Sequence, residues 1–135
     1  MRVMMPETSS MGAAVAARVL REAGHDVYTC HESDDRGFAC GALRGRPCPL
    51  EEVPIDVAVD VRPYGLPMPR LNEEGVRCAA RRHIPLVVAG AVEHNPFRDW
   101  TTAEQAGVEV VAAAEAAAAT PLTEPTTCWR FVHLH

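Results

Sequence analysis

The sequence predicts a doubly wound α/β fold built on a five-stranded parallel sheet. Short β-branched runs alternate with amphipathic or alanine-rich segments along most of the chain. The first 30 residues already form a strand–helix–strand pattern, which places two parallel strands side by side. With 135 residues and 47% hydrophobic content, the chain can bury one core. We therefore expect a single domain over residues 1–135, with a Cys-rich loop at 30–50 and a C-terminal tail at 120–135.

Local patterns place the individual elements. An apolar run over residues 2–5 ends at Pro6, and a helix over 13–23 is predicted because Val15 and Val19 lie four residues apart. Gly24 closes this helix as the glycine that follows its last turn. The remaining predicted strands are 27–30, 55–61, 84–89 and 108–111. The remaining predicted helices are 70–82, a short one that ends at Gly107, and 112–119.

The connections determine where a ligand is expected. With one crossover after each strand, the flavodoxin-like strand order 2-1-3-4-5 is predicted, and ligands bind beyond the carboxyl ends of such strands, near the switch between strands 1 and 3. A helix N-terminus flanked by small hydroxyl residues can also hold an anion. The loop after strand 1 could bind a nucleotide or phosphorylated ligand, or its serines could simply cap the helix. The candidate ligand-binding residues are Glu7, Ser9, Ser10, Gly12, Asp60 and His94.

The stretch after the second predicted strand is the least regular in the chain. Cys30, Cys40 and Cys48 fall within 21 residues that are rich in glycine, proline and arginine. Three soft ligands on one irregular loop favour a zinc ion or an iron–sulfur cluster. The pair Cys48–Pro49 also occurs at the end of bacterial ferredoxin cluster runs. The alternatives are structural thiols without a metal, or a redox dithiol.

A closed metal site needs a fourth ligand, and the sequence offers three candidates. His31 directly follows Cys30, and we include it in the predicted metal set. Cys78 lies in the middle of a predicted helix on an inward face, which favours a packed core thiol over a ligand. Cys128 lies beside Trp129 in the C-terminal tail, where both aromatic residues, Trp129 and Phe131, are expected to dock on the domain.

Composition narrows the function classes. The net charge is −5 and all thirteen basic residues are arginine, so the chain has no lysine for a Schiff base or a phosphate-binding loop. The acidic balance argues against a nucleic-acid surface. The N-terminus lacks a signal-peptide pattern and no apolar run could span a bilayer, so a cytoplasmic location is expected. The sequence pairs no nucleophile with a base, and enzymatic activity is not expected.

From residue 55 onward the chain resembles a response-regulator receiver domain. Asp60, in the run I-D-V-A-V-D-V, stands where receivers carry their phospho-accepting aspartate, and a Pro/Gly loop, a helix, a buried strand and an A-G-V pattern at 106–108 follow. The resemblance implies a flavodoxin-like fold and a signalling role. The receiver acidic pair, hydroxyl and lysine have no counterparts here, and the Cys-rich loop occupies the length of the second receiver helix.

These observations favour a small cytoplasmic binding or sensing module with a cysteine-ligated metal or iron–sulfur site on the loop after strand 2. One alternative is a degenerate receiver-like interaction domain without metal, whose partner is another protein or a second copy of the chain. The other alternative is a nucleotide- or phospho-ligand-binding protein that uses the loops after strands 1 and 3.

Overall fold

The computed structural model of the chain describes residues 1–120 and contains one five-stranded parallel sheet. The strand order is β2-β1-β3-β4-β5, which confirms the predicted flavodoxin-like order. The strands are β1 (Arg2–Glu7), β2 (Asp26–His31), β3 (Val57–Arg62), β4 (Leu86–Gly90) and β5 (Ala103–Ala106). The α-helices are α1 (Met11–Glu22), α2 (Pro49–Glu52), α3 (Gly75–Arg81) and α4 (Val111–Ala119). Short 3₁₀ turns lie at Gly41–Arg44, Leu71–Glu73 and Arg98–Trp100.

Helices cover both faces of the sheet, and each face has its own apolar core. Alternate residues of a strand point to opposite faces. Val57, Val59 and Val61 of β3 therefore pack under α1 and α4, while Ala58 packs on the other face with α3. The helical residues in these cores are mostly alanine. Small side chains let the helices approach the sheet closely: at Gly12, a Cβ atom would lie 3.3 Å from Val61 Cγ1.

The prediction for the end of the sheet is wrong. The fifth strand is Ala103–Ala106, where a short helix was predicted, and residues 108–111 are not a strand. Alanine, glutamate and glutamine favour helix locally, but the open edge of β4 pairs with this segment and tertiary pairing overrides propensity. Gly107, at φ +84°, then turns the chain, and Val110 is buried in the core at the start of α4.

The connections between the strands contain less regular helix than the sequence predicts. The β2–β3 connection carries the 3₁₀ turn at Gly41–Arg44 and the four-residue α2, with no longer helix. The β4–β5 connection, residues 91–102, contains a single 3₁₀ turn. The helix predicted over 70–82 is divided into a 3₁₀ turn and α3.

Two expectations concern residues that the structure does not describe. Docking of Trp129 and Phe131 on the domain, and the ligand role considered for Cys128, fall outside residues 1–120. Within those residues, every helix is too short or too polar to cross a membrane.

Candidate functional site

Four cysteines line one small cavity, which we call the thiol cavity. It has a volume of about 30 Å³, and Cys30, Cys40, Cys48 and Cys78 contribute to its wall. The fold therefore brings the three cysteines of the Cys-rich loop together and adds one from α3. Ala42, Pro49, Leu50, Glu74 and Gly75 complete the lining.

The two rigid sides of the thiol cavity are β2 and α3. Cys30 is the penultimate residue of β2, is 8% exposed, and its Sγ lies 3.4 Å from Met4 Sδ. A Cβ atom on Gly75 would lie only 3.1 Å from that sulfur, so the glycine allows α3 to approach β2. Cys78 lies one helical turn after Gly75, which places it on the same side of α3. The sequence pattern predicted that Cys78 lies on an inward face of the helix and favoured a core thiol over a metal ligand. It did not predict that the other three thiols lie on the same side.

The other two thiols come from the connection between β2 and β3. Cys40 precedes the 3₁₀ turn at Gly41–Arg44, and Cys48 precedes α2. The Cys48 carbonyl accepts hydrogen bonds from the backbone N–H groups of Glu51 and Glu52, at 2.9 and 3.0 Å. Both cysteines are half-buried. They are therefore held on irregular backbone rather than in the sheet.

A buried carboxylate fixes the shape of this connection. Asp35 is fully buried, accepts a 2.9 Å hydrogen bond from the Glu32 backbone N–H, and is paired with Arg44 and Arg46. Burial acts to raise the pKa of Asp35, but the Glu32 hydrogen bond and the two guanidinium groups outweigh it and hold the pKa below its usual value. A Cβ atom on Gly41 would meet the Arg46 guanidinium, so any other residue there would require that side chain to move.

Burial favours the protonated form of two of the thiols, Cys30 and Cys78. Burial, reinforced by Cys48, Cys78 and Cys40, raises the pKa of Cys30 to about 12. Burial is also the main cause that raises the pKa of Cys78. A thiol in this state is a poor nucleophile. A bound metal cation would favour the thiolate form instead, because a thiol releases its proton when it coordinates a metal ion.

His31, predicted as a metal ligand with the three cysteines, does not line the thiol cavity. It is adjacent to Cys30 in β2, and adjacent strand residues point to opposite faces of a sheet. It is buried opposite Glu7 in the β1–β2 register. Over residues 1–120 as they are arranged, no three histidine, cysteine, aspartate or glutamate side chains are positioned to hold one metal ion.

A second, larger depression lies where the strand order reverses, and we call it the switch-point cleft. It is open to solvent, has a volume of about 600 Å³, and lies at the carboxyl ends of β1 and β3. Four of the predicted ligand-binding residues belong to it, whereas Asp60 and His94 do not. Its lining is Glu7, Ser9, Ser10, Met11, Gly12, Pro63, Tyr64, Arg70 and Asn72.

Glu7 organises the β1–α1 loop beside the cleft. Its carboxylate accepts hydrogen bonds from the backbone N–H groups of Ser9 and Ser10, at 2.8 and 2.9 Å, and from both serine hydroxyls. Ser10 occupies the position before α1, but because its hydroxyl is turned to Glu7 it makes no capping hydrogen bond to the helix. Serine capping, considered from the sequence, is therefore not observed, because the serine hydroxyls donate to Glu7 instead.

A buried charged cluster lies next to the cleft. Asp60, 1% exposed, lies close to Glu73, whose carboxylate is 3.4 Å from both Arg62 Nε and Arg70 Nη2. Burial, with the Glu73 charge, raises the pKa of Asp60 well above its usual value. The sequence interpretation missed Arg62, Arg70 and Glu73. The available signal was the spacing of Arg70 and Glu73, since a glutamate commonly accepts the backbone N–H three residues earlier, here at 2.7 Å.

The two remaining predicted residues are separate from both depressions. His94 is exposed on the β4–β5 connection. Asp60, the counterpart of the receiver phosphoacceptor, is enclosed by protein, so its carboxyl group is not presented to a phosphate donor.

Comparisons with known proteins returned no relative: no protein-family model, curated protein or solved structure matches this chain.

Proposed function

We propose that the protein is a soft-metal-binding module, with Cys30, Cys40, Cys48 and Cys78 as ligands and Zn²⁺ as the ion that the site suits best. One observation carries the proposal: four thiols from separate parts of the chain line a single cavity. Thiolates are the preferred ligands of zinc, and four of them complete a tetrahedral structural site. Cys78 replaces His31 in the ligand set predicted from the sequence.

The size of the thiol cavity favours a single ion over a cluster. About 30 Å³ is the space of roughly one or two water molecules. An iron–sulfur cluster, with several iron and sulfide atoms, would require a much larger opening between β2 and α3. Those two elements are packed closely, as the approach of Gly75 to Cys30 indicates. A single zinc ion would require the thiols to move inward until all four reach it.

This movement gives the proposed site a sensing role. Cys30 and Cys78 lie on β2 and α3, whereas Cys40 and Cys48 lie on the connecting loop. An ion bound to all four would draw the loop onto the sheet, because no three of the potential ligands among residues 1–120 can share an ion as they stand. Phe38 and Leu43 are exposed on the same loop, so ligation would change the apolar surface offered to a protein partner.

The test is metal content and coordination of protein purified without oxygen. We expect one Zn²⁺ per chain, and Co²⁺ substitution with the absorbance of a tetrahedral thiolate site. Serine substitution of Cys30, Cys40, Cys48 or Cys78 should abolish both, whereas Cys128→Ser should retain them. Full zinc content in Cys40→Ser, or a wild-type protein that binds no metal, would refute the proposal and favour the receiver-like interaction domain. Iron with sulfide would refute the single-ion site.

A further inference from the structure

The switch-point cleft is independent of the thiol cavity. The two depressions share no lining residue among those that the structure describes. The cleft lies at the point where the sheet order passes from β1 to β3, and doubly wound sheets present ligands there because neighbouring connections diverge to opposite faces. Its volume, about 600 Å³, falls within the range of small-molecule sites.

Arg70 provides a positioned cation in the cleft wall. Its Nη2 lies 3.5 Å from Glu7 Oε2, 3.4 Å from Glu73 Oε2 and 3.4 Å from the Val61 carbonyl oxygen. All three distances exceed those of normal N–H···O hydrogen bonds. Its Nε is buried and has no hydrogen-bond partner. The guanidinium is thus oriented by neighbouring charges, and with 22% of its side chain exposed it forms part of the cleft wall.

The start of α1 also lines the cleft, and so does Asn72, whose side-chain amide carries an NH₂ donor. Met11 and Gly12 also line it, and the N–H groups of a first helical turn have no intrahelical acceptor. Glu7 is close by, but four donors from the serines already stabilise its charge. The cleft therefore offers donors to an incoming oxyanion.

The outer part of the cleft is apolar. Tyr64 and Met11 are 65% and 85% exposed, although both are large hydrophobic side chains. Tyr64 follows Pro63, and both belong to the cleft lining. An exposed aromatic ring beside an arginine suits a ligand that has a charged end and a flat apolar end.

We propose that the switch-point cleft binds a phosphate monoester that carries a planar ring, as a nucleotide does. The phosphate lies against Arg70 and the first turn of α1, and the ring lies against Tyr64. A simple carboxylate would leave most of the cleft volume and the exposed aromatic ring without contact. The inference concerns reversible binding, and no phosphoryl transfer to Asp60 is involved.

The test is calorimetric titration of the full chain with the common ribonucleoside monophosphates, the corresponding nucleosides and inorganic phosphate. At least one monophosphate should bind more tightly than either its nucleoside or phosphate alone. Arg70→Gln should weaken that binding by about tenfold or more, the effect of losing a charged hydrogen-bond donor. Arg77→Gln, an exposed arginine outside the cleft, should leave it unchanged.

Because Arg70 also contacts Glu7 and Glu73, its substitution could unfold the protein, and Tyr64→Ala provides a second variant. Tyr64 is exposed, so this change should preserve the fold while weakening the monophosphate and leaving phosphate binding unaffected. Failure of every monophosphate to bind, or equal binding by wild type and both variants, would overturn the proposal. The cleft and the thiol cavity share no lining residue, so Cys40→Ser should bind the monophosphate as wild type does. Repeating the titration on this variant therefore tests nucleotide binding separately from metal binding.

Discussion

Asp60 and Glu73 form a buried carboxyl pair at the carboxyl end of β3, in which the pKa of Asp60 is raised and the pKa of Glu73 is lowered. Burial and the Glu73 carboxylate raise the pKa of Asp60. Burial opposes ionisation of Glu73 as well, but the Asp60 hydrogen bond, the Arg70 backbone N–H and two guanidinium groups outweigh it and lower the pKa of Glu73. The two carboxyl groups therefore make the free energy of unfolding depend on pH in opposite directions.

Replacing Asp60 with asparagine should flatten the dependence of stability on pH. A raised folded-state pKa contributes stability that is fully present below the unfolded value of 3.8 and is lost as the pH rises through the folded value. Glu73 acts in the opposite sense, since its stabilisation is present above 4.5 and lost as the pH falls. Above pH 4.5 the stability lost through ionisation of Asp60 is therefore the larger of the two effects. The asparagine side chain does not ionise, and its amide can still donate a hydrogen bond to Glu73.

The measurement is urea unfolding of wild type and Asp60→Asn at several pH values above 4.5. The wild-type free energy of unfolding should fall relative to that of the variant as the pH rises. Two curves that remain parallel over this range would show that Asp60 does not hold a proton in the folded state.

Replacing Glu73 with glutamine should strongly destabilise the fold. The Glu73 carboxylate contacts Arg62 and Arg70, and the side chain of Arg62 is almost fully buried. Removing one partner from a buried ion pair costs about 3 kcal/mol or more, because the remaining charge stays desolvated. The neighbouring Glu74 is a matched control, since it is partly exposed and its pair with Arg77 spans 3.9 Å.

Chemical denaturation would give the two free energies. Glu74→Gln should change stability by less than about 0.5 kcal/mol. Similar small effects for both glutamates would mean that solvent reaches the Arg62–Glu73 pair.

The first four strands of the sheet were predictable from the sequence because each is a short run of hydrophobic or β-branched residues. The Val-rich run of β3 and the buried run of β4 are confirmed, and so is the strand order. The fifth strand was not predictable in this way. Its residues favour helix, and only the free edge of β4 makes them a strand. The valines after Gly107 have strand propensity, but Val110 is buried at the start of α4, and Val108 and Val111 pack against the same core.

The sites were predictable where their members are close in sequence. Glu7, Ser9, Ser10 and Gly12 are neighbours along the chain and share the cleft. Cys78 is 30 residues from Cys48, and only the packing of α3 against β2 brings it to the other thiols. Arg70 and Glu73 were assigned to a helix by their periodicity. Their pairing with residues of β3 depends on tertiary packing, which periodicity does not encode.

The fourth metal ligand can be identified by comparing two substitutions. Cys78→Ser should lower zinc affinity by several orders of magnitude, since a hydroxyl is a poor ligand for zinc and Cys78 lines the thiol cavity. His31→Ala should bind zinc as wild type does, because His31 lies on the opposite face of β2 from Cys30. Competition titration against a chromogenic chelator would measure both affinities. Loss of zinc in His31→Ala with retention in Cys78→Ser would restore the ligand set predicted from sequence.

Removing the charge of Asp35 should loosen the loop that carries Cys40 and Cys48. Asp35 is the buried acceptor for Arg44, Arg46 and the Glu32 backbone, so Asp35→Asn leaves both arginines poorly paired. Its lowered pKa means that its stabilisation is present above 3.8 and lost as the pH falls through the folded value. At neutral pH the variant should therefore show faster amide hydrogen exchange over residues 32–48 and weaker zinc binding.

The adjacent Asp34 supplies the matched control for this prediction. It has the same charge and contacts the same two arginines, at 3.9 and 3.4 Å, but its side chain is 71% exposed. Solvent screens such a pair, so Asp34→Asn should leave exchange and zinc affinity close to wild type. The two variants remove equal charge, and any difference between them reports burial. If Asp34→Asn loosens the loop as much as Asp35→Asn does, the loop conformation depends on net charge and not on the buried carboxylate. That result would rule out the positioning of Cys40 and Cys48 by Asp35.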